Sequence, residues 1–368
     1  MDRKPDVLEL AGLDAYKELY DPLHGLTHSA RPHMGVTEIN LFKGGIIYAD
    51  RVNAVSPTYK EEILKDPVIT GSEEWCGERY DYEDNLLAFL QHHQVKLSGI
   101  VNGIDYTFRD GEQPKGWDPE KDTCIAKTYT AVSVRKGRIP NKQECKKALQ
   151  REIGLEENES KPLIGMFGRL EPQKGIALLL DDFRKGDDSL LKRLDIQLLI
   201  VGRPGEDKES QRMAQELQKY AERFSDWMNL RMEFVPEGFV HRLFAGCDMI
   251  LMPSEYEPGG MPQMQGHRYG AIPVVRKTGG LADTVTDGAD GFVFESGSWG
   301  TDQGKIQQAS ESMLKAIGRA VDMYKTDLKG WGDLICNAMS RDHTWITSAQ
   351  QYLELYKQAQ ESARTRAP

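Results

Sequence analysis

The sequence predicts an α/β protein, its second half a doubly wound parallel sheet, and three observations carry that prediction. Short apolar runs alternate with amphipathic patterns over residues 161–285, the order of repeated strand–helix units. Glycine-rich turns follow several of those runs directly, where a strand gives way to a helix. A length of 368 residues, 39% apolar and 28% charged, suits two ordinary domains with substantial cores.

Taken in order, residues 1–40 carry no clear pattern and read as surface or interdomain loop. His24, His28 and His33 lie there, but no carboxylate or cysteine spacing accompanies them, so a metal site is the less favoured reading. From Ile39 a helix is expected, then a strand over Arg51–Val55, a turn at Ser56-Pro57 and another helix. Residues 72–94 read as a helix leading to a strand, and 96–105 as a buried strand with a turn at Asn102–Asp105. The run 145–161 is an amphipathic helix ending at Gly154 with a polar linker after it, which sets a domain boundary near Lys161. Beyond it come the strand Leu163–Phe167, a loop with Arg169 and Lys174, a helix, the strand Asp195–Val201 and a helix over 210–224. Met249–Met252 is the next strand, and a breaker-rich loop runs to a helix starting at Pro262, where proline suits the first turn. Ile272–Val275 is a strand, followed by a second glycine turn and a short helix; a short strand falls in 287–298 and helices over 303–325, 329–340 and the C-terminus.

Net charge is −10, so no basic surplus exists to displace counterions from nucleic acid. Five scattered cysteines, odd in number and without a C-x-x-C pair, indicate neither a zinc site nor a disulfide framework. The start lacks a signal-peptide core and no run of about eighteen apolar residues occurs, so a cytoplasmic, non-membrane protein is expected.

The chain is organised around residues 252–284. Glu257 precedes Pro258, Gly259 and Gly260, and glycines ahead of a helix leave backbone N–H groups for an anion or hydroxyls. Lys277-Thr278-Gly279-Gly280-Leu281 repeats that arrangement, and two such turns so near in sequence should be near in space. Singly, each is also ordinary α/β turn chemistry. Together, EPGGMPQ and RYGAIPVVRKTGGLADT resemble the nucleotide-sugar loop of glycogen and starch synthases, retaining glycosyltransferases of GT-B fold. VSPTY at 55–59, KLSGIVNGID at 96–105, WDPEKD at 117–122 and the segment around GRLEPQKG at 168–175 resemble the same family in the same order.

The resemblance implies a GT-B-like fold. A truncated N-terminal domain would span 1–160, a complete Rossmann-like nucleotide-sugar domain 161–340, and a final helix, 341–368, would cross back to the first domain. It implies transfer of glucose from ADP-glucose or UDP-glucose to the non-reducing end of an α-1,4-glucan, with no metal and no other cofactor. Arg169 and Lys174 would meet the diphosphate; a solvated surface pair is the alternative, Glu171 being the one acid in their loop. Glu257 would hold glucose hydroxyls, with Gly259, Gly260, Met261, Thr278, Gly279 and Gly280 around the donor and Asn102 facing its sugar. Glu255 and Glu257, two apart on an extended loop, should point apart and are not a glycosidase pair.

Departures from the family matter equally. Its early lysine-x-glycine-glycine-leucine loop and a histidine–asparagine pair have no counterpart, so the chain is expected to start well inside the first domain. Val235 stands where the family has a tyrosine stacked on the base, while Gly259 and Pro262 replace a cysteine and a threonine. Three expectations follow: a glucan synthase, with a second polypeptide completing the first domain; a non-catalytic nucleotide-sugar or glucan-binding module; and a transferase with another acceptor.

Overall fold

The computed structural model describes residues 27–31, 36–39, 45–46, 48–65, 90, 95–111 and 114–366. His24, His33, the start of the helix expected after Ile39 and nearly all of the segment 72–94 lie outside the described residues. The chain divides into two compact units, one formed by residues up to Val101 with Ser348 onward, the other by Asn102–Thr347.

In the first unit, β1 (Thr27–Arg31) and β2 (Val36–Ile39) form an antiparallel pair, in a stretch whose sequence shows only loop-like composition. β3 (Val52–Ala54) pairs in parallel with β4 (Leu97–Gly99). Helix α1 (Pro57–Ile63) begins at Ser56, whose buried hydroxyl accepts from the Tyr59 N–H at 3.1 Å. Gly99 permits the approach of that cap, since a Cβ there would stand 2.5 Å from Pro57 Cα. Within this unit Tyr352, on the final helix, accepts from Asn53 Nδ2 at 3.1 Å, and Ser348 donates to the Val101 carbonyl at 2.6 Å.

The second unit is built on a six-stranded parallel sheet ordered β10-β9-β8-β5-β6-β7. Its strands are β5 (Leu163–Phe167), β6 (Gln197–Val201), β7 (Met228–Arg231), β8 (Met249–Met252), β9 (Ile272–Arg276) and β10 (Phe292–Phe294). Read from β7, the order in chain sequence is 3-2-1-4-5-6, the Rossmann order, with its switch point between β5 and β8. β6, β8 and β9 are buried at every residue, which explains their continuous apolar runs in place of alternation.

Helices follow the strands: α2 (Pro140–Glu152), α3 (Ile176–Phe183), α4 (Leu190–Arg193), α5 (Lys208–Arg223), α6 (Glu237–Gly246), α7 (Pro262–Tyr269), α8 (Gly279–Thr284), α9 (Gln303–Thr326), α10 (Leu328–Ser340) and α11 (Trp345–Arg366). α5 shows its logic locally: Asp207 caps it by accepting from Ser210 N–H, and Met213, Ala214 and Leu217 make its buried face. α7 opens with Pro262 and stops at Gly270, left-handed at φ 62°.

Residues 102–160, grouped with the first domain on sequence, pack within the second unit. α2 lies against α6, where Leu149 fills the space beside Gly246 and Lys142 Nζ donates to the carbonyls of Phe244 and Ala245 at 3.1 and 2.9 Å. The polar linker after Gly154 therefore joins two parts of one unit, an arrangement that composition alone does not distinguish from a domain boundary. Among the described residues no helix is long and apolar enough to cross a membrane.

Candidate functional site

β5 delivers the chain through Gly168, Arg169 and Leu170 into a single 3-10 turn, Pro172–Lys174, capped by Gly175 at φ 73°. That position admits only glycine, because the backbone is left-handed and a Cβ would stand 2.1 Å from the Pro253 carbonyl. β8 delivers Pro253 to the same place, at the carboxyl ends of the two strands that flank the switch point.

Three hydrogen bonds stitch these loops together. Glu255 N–H donates to the Gln173 carbonyl at 2.8 Å, Gln173 Nε2 to the Tyr256 carbonyl at 2.8 Å, and Lys174 Nζ to Glu257 Oε2 at 2.5 Å. Ser254 Oγ adds a second donor to Glu257 Oε2 at 3.1 Å. Glu257 is 6% exposed, and burial of a carboxylate requires such partners. The Lys174 side chain keeps 20% of its surface open, so the pair can be reached from solvent.

The second glycine turn closes on the first, as its sequence proximity predicts. Gly280 N–H donates to the Glu257 carbonyl at 2.9 Å, and a Cβ on Gly280 would stand 2.1 Å from the Gly259 carbonyl. Gln263 fixes both turns from behind, donating through Nε2 to the carbonyls of Gly259 and Gly260 and to Thr284 Oγ1. Thr278 is buried at the start of α8, and Gly260 takes φ 68°. Among the described residues the N–H groups of Gly259, Gly260 and Met261 make no hydrogen bond, which leaves three donors beside a buried carboxylate.

Two residues predicted for the site have other hydrogen-bond or ion-pair surroundings than the Lys174–Glu257 pair. The Arg169 guanidinium pairs with Glu171 at 2.8 Å and its side chain is 71% exposed, whereas Lys174 pairs with Glu257. Asn102, half-buried, opens the segment that packs on 343–345, where Ile104 N–H donates to the His343 carbonyl at 2.7 Å. Among the described residues it is not a hydrogen-bond partner of the carboxylate loop.

The two carboxylates of that loop go to different partners. Glu255, 2% exposed, accepts through Oε1 from the N–H groups of Trp299 and Gly300 at 2.6 and 2.8 Å, while its Oε2 has no partner among the described residues. The Glu255 main-chain carbonyl takes the Arg276 guanidinium, which lies 5.3 Å from the Trp299 ring. Glu255 thus ties the loop after β8 to the segment after β10. Gln173, Ser254 and Gln263 are the positioning residues that motif reading passes over; their nearness to Lys174 and Glu257 was the available signal.

A site at the switch point of a parallel sheet of this order is general to Rossmann-like nucleotide-binding domains, and the similarities to known proteins narrow it to a GT-B glycosyltransferase domain. The model for glycosyl transferases group 1 matches residues 150–316, and that for the starch synthase catalytic domain matches residues 3–77. Glycogen synthase of Fervidobacterium nodosum is 36% identical over 362 residues, covering 97% of this chain and 62% of that protein. Glycogen synthase of Thermotoga maritima is 35% identical over 355 residues, covering 96% and 62%. The catalytic domain of starch synthase IV from Arabidopsis thaliana, solved with ADP and acarbose, superposes with a TM-score of 0.70 at 30% identity, over 90% of this chain and 61% of that one. A glycosyltransferase from Rickettsia africae, at 16% identity and TM-score 0.54 over 88% of this chain and 68% of its own, shares the fold. The chain belongs to the glycogen and starch synthase family of glycosyltransferases. It spans about three fifths of the length of these synthases, 62% of each of the two named.

Proposed function

We propose that the chain transfers glucose, with retention of configuration, from ADP-glucose or UDP-glucose to the non-reducing end of an α-1,4-glucan. The single observation that carries this reading is the Lys174–Glu257 pair at the switch point, beside which the N–H groups of Gly259, Gly260 and Met261 make no hydrogen bond among the described residues. Departure of a nucleoside diphosphate builds negative charge, and a fixed cation with preorganised backbone donors stabilises it best where water is excluded. Lys174 and, after release from Glu171, Arg169 supply the charge; no metal is assigned. Glu257 and the N–H groups of Gly259, Gly260 and Met261 hold the glucose hydroxyls. Thr278, Gly279 and Gly280 complete the donor side, and Asn102 addresses the sugar. ADP on starch synthase IV and the glycogen synthase relatives support the donor and acceptor classes. The proposed setting is the cytoplasm.

A second reading is favoured by one contrast: the second unit holds a six-stranded sheet, whereas the described parallel sheet of the first has two strands. In that reading the chain is a nucleotide-sugar or glucan-binding module and a second polypeptide completes the acceptor side. Transfer from radiolabelled ADP-glucose and UDP-glucose to glycogen, beside calorimetric ADP binding, separates the two. Incorporation that falls about 10²- to 10³-fold in Lys174→Ala supports the enzyme; ADP binding without incorporation supports the module; unchanged transfer in Lys174→Ala removes the mechanism.

A further inference from the structure

Glu255 follows β8 and bonds to the carboxyl ends of three further strands. Its N–H donates to the Gln173 carbonyl in the turn after β5 at 2.8 Å, and its carbonyl accepts from Arg276 at the end of β9. Its Oε1 accepts from the N–H groups of Trp299 and Gly300, beyond β10, at 2.6 and 2.8 Å. In the sheet these are four adjacent strands, β10-β9-β8-β5.

The side-chain part of this arrangement is a small anion nest. Two successive N–H groups meet one carboxylate oxygen, and the second belongs to Gly300, left-handed at φ 50°. Glu255 is 2% exposed, yet its Oε2 has no hydrogen-bond partner among the described residues. An unmatched buried acceptor is costly, and a neutral glutamine would accept the same two N–H groups without burying a charge. A carboxylate holds them about twice as strongly. The residue type therefore favours a firm hold on the loop over the least costly way of filling the space.

The loop held in this way carries Glu257, and the turn bonded by the Glu255 N–H carries Lys174. We infer that Glu255 is a positioning residue of the donor site: seated on Trp299 and Gly300, it sets the register between Lys174 and Glu257 and couples the segment after β10 to donor binding. This rests on the nucleotide-sugar reading above. Trp299 is a reporter of that coupling, since its buried ring lies 5.3 Å from the Arg276 guanidinium that bonds the Glu255 carbonyl. A shift of the loop on donor binding moves this cation relative to the indole and changes its emission.

The test is titration of the full chain with ADP-glucose and UDP-glucose, read by calorimetry and by tryptophan emission. The donor that binds should change the emission of the parent by more than that of Trp299→Phe, which keeps the main-chain N–H and removes the reporter. Glu255→Ala should weaken that donor by about tenfold and Glu255→Gln by only about twofold, because the amide oxygen restores both bonds at lower strength. Calorimetric binding with equal emission changes in parent and Trp299→Phe would overturn the inference while the donor-site reading stands, and this result decides the matter should Glu255→Ala fail to fold. Unchanged affinity in Glu255→Ala, or a loss as large in Glu255→Gln, would overturn it too, by showing that the bonds to Trp299 and Gly300 do not set the register. Absence of binding of either donor by the parent chain would overturn the donor-site reading and the inference together.

Discussion

The central strands β5 and β8 carry a lysine–carboxylate pair at each end, and the two pairs are built to opposite specifications. At the amino end Lys146 Nζ lies 2.8 Å from Asp248 Oδ2 and also donates to the carbonyls of Glu159 and Lys161 and to the Tyr324 hydroxyl, with no surface exposed. Asp248 Oδ2 in turn accepts from Leu163 N–H at 2.9 Å, fixing where β5 begins. At the carboxyl end Lys174 has, among the described residues, one carboxylate, Glu257, and an open side, with the unbonded N–H groups of Gly259, Gly260 and Met261 beside that carboxylate. A saturated pair positions chain. An unsaturated pair is available to a ligand, and in a Rossmann sheet the carboxyl end is where ligands bind.

The largest effect should therefore come from the end that does no chemistry. Lys146→Ala leaves Asp248 as a buried uncompensated charge and should destabilise the protein by about 3–5 kcal/mol. Denaturant titration checks this, and a loss under about 1 kcal/mol would mean that the pair is not structural. Lys174→Ala should do the reverse: transfer falls by the equivalent of about 2.7–4 kcal/mol, while the unfolding midpoint shifts far less than for Lys146→Ala. Equal midpoint shifts in the two variants would erase the distinction drawn between the two ends.

Ser254→Ala asks how much of the carboxyl end is orientation. The buried hydroxyl donates to the same Glu257 oxygen that takes Lys174. A hydrogen bond to a charged group contributes about 1.5–3 kcal/mol, and Lys174 keeps Glu257 partly compensated, so the lower part of that range is expected. Glucose-donor affinity should fall while pyrophosphate affinity holds, because Glu257 is assigned to the sugar and Lys174 to the phosphates. Equal losses of both ligands would assign Ser254 to general loop integrity.

How much of this was legible in the sequence follows the same division. The strand Leu163–Phe167 and the helix start at Pro262 have the boundaries read from the chain, because continuous apolar runs and a proline after glycines leave little alternative. Contact between the two glycine turns was also legible from their spacing. β1 and β2 were not, since five- and four-residue strands of mixed polarity carry no period. β7, Met-Asn-Leu-Arg, escaped for the same reason at the sheet edge. Arg169 and Lys174 were read as converging on one group, and spacing does not show that each pairs with a different carboxylate, Glu171 and Glu257. Lys146 and Asp248, about a hundred residues apart, form a pair that no motif announces.

A buried histidine pair at the amino edge supplies the most graded test. α7 runs back from the glycine turns, and near its end His267 Nε2 donates to the Asp290 carbonyl at 3.0 Å. That leaves Nδ1 of a neutral His267 to accept from His343 Nε2, 2.8 Å away. Burial is the main cause that lowers each to about 3, with Arg341 adding to it at both and His267 at His343, against raising contributions from Asp290 and, at His343, Asp342. In the unfolded chain each ring titrates near 6.5. Between roughly 6.5 and 3 the unfolded state thus binds protons the folded state refuses, so stability falls as pH falls through that window and this loss levels off below it. Each ring contributes a slope of about 1.4 kcal/mol per pH unit at most. His343→Asn keeps a donor toward His267 Nδ1 and removes one titrating group. The stability gap between parent and variant, measured by urea titration at pH 7 and pH 5, should therefore shift in the variant's favour on acidification, while carboxylate effects cancel in the comparison. A gap that does not change with pH would mean that the pair takes up protons in the folded state, and the amino end would then share the openness found at Lys174.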